Sequence, residues 1–200
     1  VSVCRPYPMN TEASIEALQR NIHVISEKPV ATSLENLDRL EAAIQSSEAR
    51  LTAMFGMRYT PALQALHKSV SSGAIGTPVL ASGQKSYKFG TRPEFFRHRE
   101  TYGGSILWVA IHAVDFMRWV GGFEYTQVAA LHGNTVKTEY PGCEDTGGIL
   151  FQLSNGGTGI VSLDYLRPSR AGTHGDDRLR IVGSEGVVEM TDSGARATMI

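Results

Sequence analysis

The sequence predicts an α/β protein in which a doubly wound parallel sheet is followed by an α+β domain with a large, mostly antiparallel open sheet. Over about the first 60 residues, short apolar segments alternate with amphipathic helices, which favours parallel strands joined by right-handed crossovers. After residue 60, most apolar segments have the length of strands and are separated by turn residues. We therefore predict two domains, residues 1–60 and 61–200.

Three short apolar segments of the first domain are typical of buried strands, and they cover residues 1–4, 23–26 and 51–55. Because the chain opens inside one such segment and closes inside another strand-like passage, we expect further sequence on both sides. In parallel sheets, ligands bind at the carboxyl ends of the strands. Arg5-Pro6 and Glu27-Lys28-Pro29 lie at two of these ends.

Two amphipathic helices are predicted to connect these strands. Asn10 is a favourable N-cap for the first, and Thr32 with Glu35 forms a capping box for the second. Apolar residues at helical spacing form one stripe on each helix. These are Ile15, Leu18 and Ile22 in the first helix, and Leu34, Leu37, Leu40 and Ile44 in the second.

The second domain is predicted to begin with a helix that Pro61 opens and Gly73 ends. A further helix is expected over residues 105–120. The remaining apolar segments are predicted strands, at residues 79–89, 127–131, 148–153, 158–165, 179–182 and 187–190. Glu144-Asp145-Thr146 precedes one of them and is expected to cap it or to form buried hydrogen bonds.

The composition excludes several classes of partner. The 200 residues are 42% hydrophobic, and 19 Lys and Arg nearly balance 20 Asp and Glu. This balance argues against nucleic-acid binding and against a polybasic membrane surface, and no apolar run approaches the roughly 18 residues that span a bilayer. Cys4 and Cys143 lie in no metal-ligand spacing and are expected to be buried apolar groups. We predict a cytoplasmic protein without a metal site, whose partner is a small molecule.

Lys28 is the most informative position for chemistry. A lysine fixed by the following proline at a strand end would point into the ligand crevice, where burial makes it able to exchange a proton. The pattern is equally compatible with a surface lysine paired with Glu27.

The second-domain helix carries Trp108, His112, Asp115 and Trp119 at spacings of four, three and four, which place them on one face. His112 could transfer a proton there, with Asp115 orienting its imidazole. The same spacing fits a core histidine that is hydrogen-bonded to a carboxylate beneath two tryptophans.

A basic, aromatic stretch runs from Tyr87 to Arg99 and includes Arg97. Arginine side chains suit the recognition of carboxylates or phosphates, so this stretch could bind an anionic substrate. A basic loop of this kind is equally compatible with a solvated surface.

Taken in order, these motifs resemble the Gfo/Idh/MocA family, named for glucose-fructose oxidoreductase, myo-inositol dehydrogenase and a rhizopine catabolism protein. The resemblance extends over essentially the whole chain. Its carriers are Arg5-Pro6, Glu27-Lys28-Pro29, Met57-Arg58-Tyr59-Thr60-Pro61, residues 72–78, Gly103-Gly104 through His112-x-x-Asp115 to Arg118-Trp119, Glu144-Asp145-Thr146 and Gly183-Ser184-Glu185-Gly186.

The resemblance implies a partial Rossmann domain that binds NAD or NADP, and a second domain that shapes the substrate site and joins subunits into a homo-oligomer through its sheet. It implies hydride transfer between the nicotinamide and a hydroxyl-bearing carbon of a sugar, cyclitol or related compound. Lys28 and His112 would be catalytic. Arg5, Pro6, Glu27, Lys28 and Pro29 would line the cofactor, and Trp108, His112, Asp115, Tyr87 and Arg97 would contact the substrate.

The chain departs from the family pattern at two places. Many members carry an acidic residue where this chain has Trp108, and a glycine where it has Ala110. The printed sequence also contains no glycine-rich strand-to-helix loop for the dinucleotide phosphates. The loss of the carboxylate motivates two alternatives to simple dehydrogenation. One is a ligand-sensing or regulatory protein of the same fold, and the other is glycoside cleavage through transient oxidation by tightly held NAD.

Overall fold

The computed structural model describes residues 1–7 and 9–200 and confirms the predicted fold class. Its elements form two sheets, a parallel sheet in the order β1-β2-β3 and a seven-stranded sheet in the order β10-β9-β8-β4-β7-β6-β5. In the larger sheet only β4 and β7 run parallel to each other, and every other neighbouring pair is antiparallel.

The first sheet and its two helices occupy the first 53 residues. The elements are β1 (Ser2–Val3), α1 (Met9–Gln19), β2 (Val24–Ser26), α2 (Leu34–Gln45) and β3 (Leu51–Ala53). A 3₁₀ turn, Gly56–Tyr59, leads from this sheet to the next helix. The core of this part includes Val3, Leu18, Val24 and Leu40.

The second part contains three helices and seven strands. They are α3 (Pro61–Ser71), β4 (Pro78–Tyr87), α4 (Arg99–Tyr102), α5 (Ile111–Gly121), β5 (Tyr125–Gly133), β6 (Thr146–Leu153), β7 (Thr158–Asp164), β8 (Gly175–Gly183), β9 (Val187–Thr191) and β10 (Arg196–Met199). 3₁₀ turns occupy Glu94–Arg97 and Asp192–Gly194, and a π-helical turn, Ile106–Ala110, runs directly into α5. The domain boundary at residue 60 remains a prediction.

Helix α5 packs against the inner face of the large sheet, and Gly83 determines how closely it approaches. A β-carbon on Gly83 would lie 3.2 Å from the β-carbon of Ala113. Ala81 and Phe116 are buried in the same core, together with α3. Because inward side chains alternate along a strand, Lys85 and Tyr87 of β4 lie on the same face as Gly83, displaced toward the carboxyl end of the strand. The π-helical turn that leads into α5 lies at this carboxyl end of β4.

Four predictions about the helices of the first domain are wrong. Asn10 lies in the first turn of α1 rather than capping it, and Ser33 rather than Thr32 caps α2 by accepting a hydrogen bond from the Asn36 amide at 3.2 Å. The predicted stripe of α2 buries Leu40 alone. Its other members are exposed: Leu34 by 79%, Leu37 by 38% and Ile44 by 36%, since the helix packs through Leu40 and Ala43. Ile22 lies beyond the end of α1 and is exposed.

The two cysteines differ in environment. Cys143 is buried, as expected, but Cys4 is exposed because it follows the last residue of β1. No helix in the described part of the chain is long and apolar enough to cross a membrane.

Candidate active site

The candidate site lies where the carboxyl ends of β1 and β2 meet the beginning of the second-domain helix. The buried side-chain amide of Asn10 holds the two strand ends together. It accepts a hydrogen bond from the Arg5 amide at 3.0 Å and donates to the carbonyls of Glu27 at 3.2 Å and Pro29 at 3.5 Å. Asn10 therefore holds the backbone on both sides of Lys28.

Lys28 points from this strand end into the second domain. Its ammonium group donates a hydrogen bond to the Trp108 carbonyl at 2.7 Å, and its Nζ lies 4.7 Å from the centre of the Trp108 ring. Glu27 is the nearest carboxylate, at 3.8 Å. The side chain is only 8% exposed, so the hypothesis of a surface lysine is wrong. Burial lowers the pKa of Lys28, which Glu27 partly offsets and Lys85 reinforces.

The backbone that receives Lys28 is unusual. Trp108 lies within the π-helical turn, where hydrogen bonds run from residue i to i−5, as in the bond from the Ile111 amide to the Ile106 carbonyl. Such turns shift the hydrogen-bond register of the helix that follows and are frequent at functional sites. The turn places the Trp108 carbonyl toward β2, one turn before His112.

His112 is held as a neutral imidazole. Its buried Nδ1 has no hydrogen-bond partner among the described residues. Burial, followed by the charges of Lys28 and Lys85, lowers the pKa of His112 to about 3. A neutral imidazole has one nitrogen that accepts a hydrogen bond, and a buried polar atom without a partner is uncommon in native proteins. The hydrogen-bonding capacity of Nδ1 is thus not used by the described residues.

A second buried lysine completes the positive side of the site. Lys85 on β4 is 1% exposed, and its ammonium group donates to Asp177 Oδ2 at 2.6 Å and lies 4.8 Å from the Tyr87 ring centre. Burial lowers the pKa of Lys85, and Asp177 offsets part of that effect. The other oxygen of Asp177, Oδ1, is buried and has no partner in the described part of the chain. Tyr87 therefore lies beside the cluster, and its contact with a substrate remains a prediction.

Asp115 does not orient His112. Both of its carboxylate oxygens accept hydrogen bonds from the guanidinium of Arg58, one of them at 2.9 Å from Nε. Arg58 belongs to the 3₁₀ turn after β3, so the pair ties that turn to α5. The predicted pairing of Asp115 with His112 is wrong because Arg58 engages both oxygens.

Arg97 is also engaged elsewhere. Its guanidinium donates to Glu94 at 3.1 Å and to the Glu139 carbonyl, and it stacks over the Tyr140 ring at 4.4 Å. It lies in the 3₁₀ turn Glu94–Arg97, away from the strand ends that hold Lys28. The structure does not bring Arg97 to Lys28 and His112, whereas Trp108 lies directly against Lys28.

The residues expected at the cofactor edge lie at the strand ends. Arg5 and Pro6 follow β1 and are exposed, and Glu27 and Pro29 flank Lys28 across a cis Lys28–Pro29 peptide bond. The pattern analysis did not single out Tyr7, which is buried and packs edge-on against the Trp108 ring at 4.2 Å. Burial, together with Glu27, raises the pKa of Tyr7 far above its ordinary value.

Lys85 and Asp177 were not identified from the sequence, although a signal for Lys85 was present. In β4 the inward positions are Ala81, Gly83 and Lys85, and a lysine in an inward series of small residues indicates a buried cation. The register of the sheet places Asp177 directly opposite Lys85. Local sequence does not predict that pairing, because it depends on which strands are neighbours in the sheet.

The arrangement suits proton exchange with a neutral polar ligand. Two buried ammonium groups have lowered pKa values, and a neutral imidazole presents an acceptor without a protein partner. In the described part of the chain, no group of three or more His, Cys, Asp or Glu side chains could hold a metal ion.

Two family models match the chain. Residues 63–189 match one described as the GFO/IDH/MocA C-terminal domain, and residues 1–55 match one described as an oxidoreductase family with an NAD-binding Rossmann fold.

Individual relatives agree with these matches. The chain is 28% identical over 189 residues to the uncharacterized oxidoreductase YrbE of Bacillus subtilis, covering 93% of this chain and 53% of that protein. It is 27% identical to the myo-inositol 2-dehydrogenase of Thermotoga maritima, with 93% and 54% coverage. A solved Thermotoga maritima structure, described only provisionally as an oxidoreductase, is 41% identical with a TM-score of 0.95, and the match covers 100% of this chain and 61% of that one. The chain thus spans about half the length of the curated relatives it matches.

Proposed function

Because the chain belongs to the Gfo/Idh/MocA family of oxidoreductases, we propose that it serves an NAD(P)-dependent dehydrogenase that acts on a hydroxyl-bearing carbon of a sugar, cyclitol or related compound. The observation that carries the proposal is the hydrogen bond from Lys28 Nζ to the carbonyl one helical turn before His112. That bond connects Lys28, at the end of a strand in the first sheet, to the helical segment that carries His112, so the two groups suited to proton exchange are held in one region.

The residues present fit the nicotinamide end of such a cofactor. The Nδ1 atom of His112 is buried and has no partner among the described residues. Asn10 holds the two strand ends together by hydrogen bonds, and Arg5, Glu27 and Lys28 form a polar edge there. When bound, NAD(P) would accept or give the hydride. The choice between NAD and NADP depends on the residue that contacts the adenosine ribose, which follows a glycine-rich loop that the printed sequence does not contain.

The chain's own residues would handle the proton. His112, neutral at pH 7, would accept a hydrogen bond from a neighbouring hydroxyl of the substrate and so orient the reacting carbon. Lys28, with its lowered pKa, would take the hydroxyl proton during oxidation and return it during reduction. Tyr7 and Trp108 would exclude water from one side of Lys28.

The substrate class is supported by the relatives. Those with stated activities include a myo-inositol 2-dehydrogenase and a scyllo-inositol 2-dehydrogenase that uses NAD. Trp108 differs from the carboxylate that many members of the family carry, so we propose a substrate that meets an aromatic ring rather than an acid at that point. We also propose that copies of the chain associate through the outer face of the large sheet.

Replacing Lys28 with Met tests the proposal in the protein. We expect kcat for oxidation of a cyclitol or sugar found by screening with NAD and NADP to fall at least about 100-fold, while the Kd of the cofactor changes little. Lys68→Met, an identical change at an exposed position on α3, is the control and should leave both unchanged. An unchanged kcat in Lys28→Met would refute the assignment.

The Trp108 ring over Lys28 also favours a second candidate, a ligand-sensing protein without turnover, because that ring occupies the place of the expected carboxylate. The same screen separates the candidates. Ligand-dependent association with a partner, without NADH formation, would support a sensor. Release of sugar from an aryl glycoside without net NADH would instead indicate glycoside cleavage.

A further inference from the structure

A second cavity, distinct from the Lys28 and His112 cluster, lies beyond the carboxyl ends of the parallel strands β4 and β7. Its volume is about 360 Å³. Its apolar lining includes Phe89 and Tyr165, and the segments 136–137 and 166–169 enclose it. The two aromatic rings pack edge to face with their centres 5.6 Å apart, so the aromatic part of the wall is rigid.

The polar side chains that line this cavity are mainly basic. Lys88, Lys137 and Arg167 line it, and Arg92 packs behind its aromatic wall, with its guanidinium carbon 4.7 Å from the Tyr165 ring centre. No Asp or Glu is among the lining residues. The whole chain has a net charge of −1, so this concentration of positive charge is local.

The basic groups are only partly satisfied by the protein. Lys88 donates to the Ala171 carbonyl, and Arg167 donates to Thr173 and lies 3.4 Å from Asp176. The Lys137 ammonium lies 5.2 Å from the Phe89 ring centre, and among residues 1–7 and 9–200 it has no carboxylate partner. Asp145 lies close to that segment but is fully buried, and its carboxylate accepts hydrogen bonds from the backbone amides of residues 135–137.

Arg92 supplies an independent observation. One of its terminal nitrogens donates to the Lys88 carbonyl at 3.1 Å, but its Nε is buried and has no partner within the described ranges. Arg92 therefore adds a positive charge behind the aromatic wall, and like charges gathered in one place repel each other. An anion in the cavity would relieve the repulsion between the cations.

From these contacts we infer that the cavity binds an oxyanion, the carboxylate or phosphate group of a small molecule, with Lys137 and Lys88 as its principal partners. Lysine ammonium groups donate charge-assisted hydrogen bonds to such oxygens, and Arg167 is in position to add positive charge. The aromatic wall suits the carbon skeleton that carries the anion. Part of the basic stretch predicted from Tyr87 to Arg99 thus becomes a binding site, although through Lys88 rather than through Arg97.

The oxyanion has two possible sources, a separate small anion or the acid group of the substrate itself. Tyr165 links the two regions, since it lines this cavity and its ring centre lies 6.5 Å from that of Tyr87, beside Lys85. The inference does not depend on the proposed dehydrogenase, because binding of an anion can be measured without turnover.

Calorimetric titration with inorganic phosphate tests the site in the protein, in a chloride buffer of fixed ionic strength. We expect Lys137→Met and Lys88→Met each to raise the Kd at least about tenfold, a loss of about 1.4 kcal/mol. Lys68→Met, the same change on exposed α3, is the matched control. Circular dichroism establishes that each variant is folded. A loss no greater than in Lys68→Met, or no binding by the unaltered protein, would overturn the inference.

A second pair of ligands distinguishes the sources. Glucuronate should compete with phosphate, whereas its neutral methyl ester should not, because esterification removes the charge that the lysines recognise. If Lys137→Met lowers kcat/KM for an acidic sugar and leaves that for a neutral sugar unchanged, the oxyanion is part of the substrate. If it weakens phosphate binding and changes neither kcat/KM value, the site takes a separate anion. Competition by the ester equal to that of the acid would contradict the inference.

Discussion

At the scale of single residues, the candidate site depends on what burial does to three titratable groups. Lys28, Lys85 and His112 each have a pKa lowered mainly by removal from water. The two lysines have carboxylate neighbours that offset this effect, whereas His112 has only the lysines, which reinforce it. The histidine is therefore the group whose charge is most firmly excluded from the folded state.

The low pKa of His112 predicts how stability depends on pH. Its pKa is about 3 in the folded protein and about 6.5 in the unfolded chain, so between these values the unfolded chain binds one more proton. The free energy of unfolding should therefore fall as pH falls through this window, by at most about 1.4 kcal/mol per pH unit from this group.

Urea unfolding at pH 7.0 and pH 5.5 measures the effect. Between the two pH values, the unaltered protein should lose up to about 1 kcal/mol more than His112→Gln, which has no group to protonate there. Groups elsewhere contribute equally to both proteins and cancel in the comparison. Equal losses in the two proteins would show that His112 becomes protonated in the folded state.

At the scale of helices and strands, sequence patterns identified most elements and missed features that depend on neighbours. Alternating apolar residues located β4, β6, β7, β8 and β9, because one face of each lies on the core. The N-cap of α2 was misplaced by one residue, since Thr32 and Ser33 are both good caps. The π-helical turn at Trp108 has no sequence signal, and it places the Trp108 carbonyl where Lys28 can reach it.

The candidate site residues also divide into those that local sequence predicts and those that depend on neighbouring elements. Lys28 and His112 were identified because strand-end and helical positions can be recognised along the chain. Asp115 lay on the expected face, but its partner Arg58 comes from another element, 57 residues away. Asp177 became part of the cluster through strand register, which local sequence does not determine.

The close packing of α5 on β4 provides a prediction at this scale. Gly83→Val would add a side chain facing Ala113. Its β-carbon alone would lie 3.2 Å from the β-carbon of Ala113, before the two methyl groups of valine are counted. We expect a loss of about 1 to 3 kcal/mol in the free energy of unfolding, because overpacking displaces the helix. Gly172→Val, in the segment between β7 and β8, is the control, since a β-carbon there meets no atom within 4 Å.

Urea unfolding of both glycine variants gives the comparison. Gly172→Val should change stability by less than about 0.5 kcal/mol, since the new side chain meets no neighbour. If Gly83→Val is as stable as Gly172→Val, the helix does not depend on the glycine for its position. A displaced helix would also carry His112 with it, so kcat should fall in Gly83→Val and remain unchanged in Gly172→Val.

At the scale of the whole molecule, the two faces of the large sheet have different environments. The inner face packs under α5 and contributes to the main core. On the outer face, Leu150 of β6 lies directly opposite Ile160 of β7, and Leu131 of β5 lies nearby on the same face. Their exposed fractions are 52%, 46% and 84%. Contiguous apolar side chains of this kind mark interaction surfaces, and this one fits a second copy of the chain.

The proposed association predicts the effect of charge on this face. Leu150→Asp combined with Ile160→Asp should convert a dimer or larger oligomer into a monomer in sedimentation velocity, because like charges would meet across a symmetric interface and be buried there. Leu34→Asp, at a 79% exposed position on α2, is the control and should leave the sedimentation coefficient unchanged. Since both substituted side chains point away from the core, the double variant should keep its circular dichroism spectrum. An unchanged oligomer in the double variant would place the contact on another surface.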